Sequence, residues 1–244
     1  MMFFSHLAFY VSKNAVFALN FLCALALSLL FCLLMVQKRY EKRTLSLLTA
    51  LIGVVEMRDP NLEGHSLHVR NLSMLLYDNL PWSYRVRIPL RDLQFTALLL
   101  DVGKLCIPSA IIEKSGKLKK NELDLIRHHP EMSEKVLLSV KGFSKIAKWI
   151  KYHHERVDGN GHFKLKGEEI PLASRIVAVA DTFSALTMER NYKPRLSYEE
   201  AITELRLVAG TQLDKNLVKY FCAIPIRDIE KSMDEVKKQM KKYV

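Results

Sequence analysis

The sequence predicts an all-α protein in which one transmembrane helix precedes a helical bundle, and three observations carry that reading. The stretch from Ala15 to Val36 holds 22 residues without a charge. Beyond it, apolar residues recur at the spacings of three and four that mark one face of a helix. Nowhere does a period-two alternation run long enough to build a sheet.

The elements follow in chain order. Residues 15–36 read AVFALNFLCALALSLLFCLLMV, with Asn20 and Ser28 as the polar interruptions. As a helix the run rises about 33 Å, enough to cross the hydrocarbon core of a bilayer. A buried helix of a soluble protein is seldom apolar on every face for so long. A cleavable signal would have a shorter apolar region, with positive charge ahead of it and small residues closing it. Here Lys13 stands alone before the run, whereas Lys38, Arg39, Lys42 and Arg43 follow at once. The positive-inside bias therefore places residues 1–14 as a short extracytoplasmic N-terminus, 15–36 as a retained single span, and the remainder in the cytoplasm. Residues 37–57 are expected to form a juxtamembrane helical connector. Its seam of Leu45, Leu48, Ile52 and Val55 suits either a homodimer contact or packing on the chain's own domain.

A helical domain is expected over 58–223. Periodicity predicts helices at 65–79, 92–100, 121–140, 143–152, 172–189, 198–208 and 214–223, separated by turn signals such as 114–116 and 158–161. Residues 224–244 read as a basic C-terminal helix. Ile226, Ile229, Met233, Val236 and Met240 form one stripe, opposite Lys237, Lys238, Lys241 and Lys242. That stripe suits docking on the same domain, on anionic lipid or on a partner helix.

Composition narrows the function classes. With 49% hydrophobic and 26% charged residues the chain is neither disordered nor of low complexity. The excess of 37 Lys and Arg over 26 Asp and Glu gives a net charge of +11, which attracts phosphates or anionic lipid without choosing between them. Part of that charge lies beside the span and part in the tail, so a nucleic-acid polymer is not the expected partner. The four cysteines are far apart and form no CxxC pair, which excludes a disulfide framework or zinc ribbon. Cys106 reads as a small buried apolar residue.

Six residues of metal-binding type stand at the ends of predicted helices: His65, Asp101, His129, His153, His154 and Asp181. Imidazole and carboxylate together suit iron, manganese, zinc or nickel, and a carboxylate can bridge two ions. Each has a plainer reading as well. A single histidine is more often a surface or core residue, Asp101 suits a turn before Gly103, and Asp181 suits an ion pair with Arg175 or Arg190.

The surroundings of those six carry a resemblance. The segments RDPNLEGHS (58–66), LLLDVGKLCIP (98–108), EKSGKL (113–118), RHHPEMSEKVL (127–137), HHERVDGNGHFKLKGEEIPLASRIVAVADTFSALT (153–187), ERNYKP (189–194) and AGTQLD (209–214) are similar to HD-GYP domains. These are all-α relatives of the HD hydrolases and cleave the bacterial messenger cyclic di-GMP. The resemblance runs in order over about 45–223 and implies an HD-GYP helical bundle on the bacterial inner membrane. It implies two divalent metal ions: one on His65, Asp101 and Asp181, the other on His129, His153 and His154, with Asp101 bridging. It also implies Asp101 and Lys104 as catalytic groups, with Lys104 near the scissile phosphate. Arg190 and Lys193 would grip the phosphates of cyclic di-GMP or a related cyclic dinucleotide.

Three departures bear on that expectation. Leu100 stands where the family has the histidine of its His-Asp pair, which removes one protein ligand from one ion. Gly161–His162–Phe163 replaces Gly-Tyr-Pro, with His162 a candidate replacement ligand. Ser184 and Ser133 replace an aspartate and a glycine. Two functions are therefore expected to compete: a membrane-bound phosphodiesterase, and an inactive domain that binds nucleotide or a partner protein.

Overall fold

In the computed structural model, helix α1 (Met2–Glu56) runs through the N-terminal segment without a break. Backbone is described for residues 2–56, 64–114, 116–188 and 195–241, and side chains for the same ranges except 2–14, 54 and 55. The chain divides after Leu47 into two units. The first consists of α1 alone, and none of its most apolar window is buried within the protein. From Ala15 to Gly53 the helix is long and apolar enough to cross a membrane. The expected span at 15–36 lies inside that range.

The second unit, from Leu48 onward, is built almost entirely of helices. These are α2 (His65–Asn79), α3 (Trp82–Arg85), α4 (Leu90–Leu99), α5 (Ser109–Ile112), α6 (Lys120–Arg127), α7 (His129–Leu138), α8 (Ser144–Lys151), α9 (Leu172–Thr187), α10 (Tyr198–Leu207), α11 (Lys215–Phe221) and α12 (Ile226–Met240). A 3-10 turn at Val102–Cys106 follows α4. Among the described residues no strand forms, and pairing is limited to isolated bridges between Asp158 and Lys166 and between Ala209 and Leu213.

Helices α2 and α9 form the central pair. The sequence LASRIVAVADTFSALT is apolar on nearly every face, and its residues 172–180 are all buried. Helix α2 adds Val69, Leu72 and Leu76, which have no measurable exposure. Helices α4, α11 and α12 pack on α2, and α10, α11, α4 and α8 pack on α9. Prolines set several starting points: Pro89, Pro171 and Pro225 each cap a helix N-terminus, where the missing N–H costs nothing.

The structure amends several expectations. The helix expected over 121–140 is two, α6 and α7, separated at His128. Pro130 supplies the reason, because it cannot donate to the carbonyl of Ile126 four residues earlier and its ring would clash there. Asp181 lies within α9 rather than at a helix end. Cys106 is exposed, since the short 3-10 turn holds it at the surface. The tail helix docks on its own domain. Ile229 and Val236 are buried, and Asn71 Nδ2 donates to the Ser232 carbonyl at 3.3 Å. Ile52 of the seam is likewise buried, 3% exposed, within the second unit, while the Val55 side chain lies outside the described residues.

Gly103 marks the tightest approach, where the 3-10 turn meets α7. Its N–H donates to Ser133 Oγ at 2.8 Å, and that hydroxyl donates to the Leu100 carbonyl at 3.0 Å. A Cβ on Gly103 would overlap the His129 carbonyl oxygen and the Ser133 backbone nitrogen, neither of which can swing aside. Gly103→Ala should therefore lower stability by about 1–3 kcal/mol. Thermal unfolding of the full chain followed by circular dichroism checks this, and an unchanged Tm would show that the turn and α7 can part.

Candidate metal centre

Five of the six metal-type residues are presented by a local backbone device, and the sixth, Asp181, projects from within α9. His65 opens α2 directly after Gly64, whose φ of 73° is a left-handed conformation that glycine adopts without penalty. The buried carboxylate of Glu56 fixes that start, accepting from Gly64 N–H at 2.9 Å and Ser66 N–H at 2.6 Å. Burial raises the pKa of Glu56 against those hydrogen bonds. Asp101 precedes the 3-10 turn, which carries Lys104 one turn on. His129 is the first residue of α7, and His153 and His154 lie in the turn that ends α8.

These side chains meet. Asp101 Oδ1 lies 3.1 Å from His129 Nε2, and Asp101 Oδ2 lies 3.1 Å from Lys104 Nζ and 3.9 Å from His65 Nε2. Asp181 Oδ1 is 3.0 Å from His65 Nε2, and its Oδ2 is 3.9 Å from His154 Nδ1. One donor atom from each of His129, His153 and His154 lies within 4.8 Å of the other two. His65, Asp101, His129 and His153 are buried, whereas His154 leaves half of its side chain exposed at the mouth of the site.

The electrostatics follow from that crowding. Burial favours the protonated form of Asp101, but Lys104, His129 and His65 outweigh it and hold the carboxyl well below the usual range. Asp181 behaves alike: burial opposes ionisation, and the hydrogen bond and charge of His65 overcome it. Burial, with His154 and His129 beside it, pushes the His153 imidazole well down. The site thus holds anionic carboxylates beside a neutral imidazole at neutral pH.

The histidine tautomers are set by the backbone. His129 Nδ1 donates to the Ile126 carbonyl at 2.9 Å, the same carbonyl that Pro130 leaves without a helical partner. His153 Nδ1 donates to the Ile150 carbonyl at 2.6 Å. For His153 this leaves Nε2 as a lone-pair acceptor, buried without a hydrogen-bond partner, whereas His129 Nε2 faces Asp101 Oδ1. A buried imidazole nitrogen whose other nitrogen is pinned to a carbonyl is the usual arrangement of a metal-binding histidine. The residues present therefore fit divalent ions. His65 joins a different chain, since its Nδ1 and that of His68 both lie 3.0 Å from Ser184 Oγ.

Other expected site residues are placed less simply. Leu100 is 1% exposed and belongs to the apolar core. Arg190 and Lys193 lie outside the described residues. The ion-pair alternative for Asp181 does not form with Arg175, which binds Asp214 at 2.5 Å instead. Glu56, His68 and Glu155 escaped the sequence reading. For Glu56 a signal existed, as an acid four residues after Ile52 on the apolar seam. His68 offered only its place among the apolar positions of α2.

Comparison with known proteins fits this geometry. The HD domain family profile matches residues 49–217. A 3′3′-cGAMP-specific phosphodiesterase 3 of Vibrio cholerae is 34% identical over 169 residues, covering 69% of this chain and 36% of its own. The cyclic di-GMP phosphodiesterase response regulator RpfG of Xanthomonas campestris is 34% identical over 196 residues, covering 79% and 51%. This chain belongs to the HD domain family, in its HD-GYP group. It spans between about a third and a half of the length of these relatives. In fold it is similar to Bd1817, an HDG"Y"P protein of Bdellovibrio bacteriovorus, with a TM-score of 0.52 at 19% identity over 66% of this chain and 51% of that one.

In this chain the loop at 161–165 hangs on Glu155. That buried carboxylate accepts from Phe163 N–H at 2.8 Å and Leu165 N–H at 2.9 Å. His162 is thereby held away from His129, His153 and His154, with its Nε2 3.1 Å from Glu131 Oε1 and its side chain 59% exposed. The expectation that it replaces a ligand of the buried site is not met.

His68 supplies a pH test. Burial, and next the charge of His65, push its imidazole down to about 3. A histidine held neutral in the fold contributes fully above its unfolded pKa of about 6.5, and that contribution is lost as pH falls from there toward the folded value. In chelator, Tm should fall from pH 6.5 to 4.5, and His68→Asn should fall less steeply. Equal slopes would show that His68 does not take up a proton on unfolding.

Proposed function

We propose that this protein is a metal-dependent phosphodiesterase of cyclic dinucleotides, cyclic di-GMP or 3′3′-cGAMP. In this reading residues 15–36 hold it in the bacterial inner membrane with the N-terminus outside and residues 58–223 as the cytoplasmic catalytic domain. The convergence of His65, Asp101, His129, His153, His154 and Asp181, with the buried Nε2 of His153 left free, carries the proposal. His65, Asp101 and Asp181 would hold one divalent ion, and His129, His153 and His154 the other, with Asp101 between them. Such ions supply a Lewis acid and lower the pKa of a water at neutral pH. Lys104, held by Asp101, places a cation where charge builds on a phosphodiester. Arg190 and Lys193 would bind the outer phosphates. Relatives named for cyclic di-GMP and for 3′3′-cGAMP support the substrate class.

One observation favours a second reading, a nucleotide receptor without turnover. Leu100 occupies the position of a family ligand and packs into the core, so the ion on His65, Asp101 and Asp181 has one fewer protein donor.

The experiment uses the full chain in detergent, loaded anaerobically with iron or manganese, and measures metal content and hydrolysis of both cyclic dinucleotides. Turnover with two ions is expected from the first reading. Tight nucleotide binding without product would establish the receptor. His153→Ala should lose one ion and reduce turnover by at least about 100-fold. Leu100→His should raise turnover if the remaining site is intact. No change in that variant would place the defect in the loop at 161–163.

A further inference from the structure

A second group of metal-type side chains lies on the surface beside the buried one, and none of the roles above uses it. His128 sits at the break between α6 and α7, Glu131 lies in the first turn of α7, and His162 lies in the loop hung on Glu155. His128 Nδ1 and His162 Nε2 each approach the same atom, Glu131 Oε1, at 3.1 Å. The two imidazole rings stand edge to face with centroids 5.4 Å apart. One donor atom from each of the three residues lies within 4.8 Å of the other two.

We propose that His128, Glu131 and His162 form a separate zinc-binding site, distinct from the buried centre, which staples the 161–163 loop to the start of α7. Two imidazoles and one carboxylate are a three-donor set that Zn2+ accepts, with a fourth position left for water. The set is already gathered. His128 and Glu131 are three residues apart at a helix start, so they share a face. His162 is delivered by the two backbone hydrogen bonds that Phe163 and Leu165 give to Glu155. A Cβ on Gly161 would come 2.5 Å from Glu155 Oε1, so the loop can lie this close to Glu155 because that position is glycine.

The bound ion would have a consequence beyond itself. It would join the residue preceding His129, a proposed ligand of the buried centre, to the loop that stands where the family has Gly-Tyr-Pro. Zinc at the surface would thereby fix the loop without contributing to the buried ions. The half-exposed positions of His128 and His162 make the site reachable from solvent, so it exchanges more readily than the buried one.

The test titrates the metal-stripped full chain in detergent with Zn2+, and with Co2+ as a spectroscopic substitute. The wild-type chain should bind one equivalent that His162→Asn and Glu131→Gln lose, or bind at least about tenfold more weakly. His153→Ala, which breaks the buried centre, should keep that equivalent, so failure of the buried-site reading leaves this result intact. As an independent readout, Zn2+ should slow proteolysis at Lys164 and Lys166 in the wild-type chain and not in His162→Asn. Identical metal isotherms for wild type, His162→Asn and Glu131→Gln would overturn the proposal. So would zinc protection of the loop that persists in His162→Asn.

Discussion

Asp101 is 6% exposed, and a carboxylate withdrawn that far from water must be met by cations or proton donors on several sides. Lys104 and His129 meet it at 3.1 Å and His65 stands behind them. Those partners come from three separate places in the chain, the start of α2, the 3-10 turn and the start of α7, and meet Asp101 just beyond the end of α4. The demands of one buried anion thus account for why α2, α4 and α7 converge where they do. Gly103 makes the convergence possible, since any side chain there would push the turn off α7.

Interruptions in the helices, rather than the helices themselves, aim the metal-type side chains. Pro130 stops α6 from running into α7, and the carbonyl it frees turns His129 toward Asp101. The end of α8 does the same for His153 through the carbonyl of Ile150. Glu56 caps the start of α2 from outside and so fixes His65. In the first two cases a carbonyl at a helix end is spent on orientation, and in the third a carboxylate satisfies N–H groups that a helix start cannot satisfy itself. These contacts orient the site even though all four of its histidines lie outside helices or at their first residue.

Leu100 shows the opposite effect. At the end of α4 it packs its side chain into the apolar core, while the next residue, Asp101, enters the polar site. Leu100 still lends its carbonyl to Ser133, which is tied in turn to Gly103. Leu100 is thus tied into the frame of the site through its backbone while its side chain packs in the core.

Much of this protein was legible from the chain itself. The uncharged run at 15–36 reads as a long apolar helix, and the three-and-four spacing expected over 65–79 and 198–208 follows from burying one face, whereas 172–189 is apolar on nearly every face. The six metal-type residues could be singled out only through the motifs around them, which resemble a family, because each alone has a plainer reading. The structure brings them together, with Asp181 inside α9 rather than at a helix end. The tertiary structure decided what depends on contacts between distant segments. It placed Arg175 against Asp214 rather than Asp181, sent the tail helix onto α2, and carried His162 to Glu131 instead of the buried histidines. Periodicity records which face of an element is buried. It holds no record of which other element does the burying, and partner choice among charged groups is settled only by that packing.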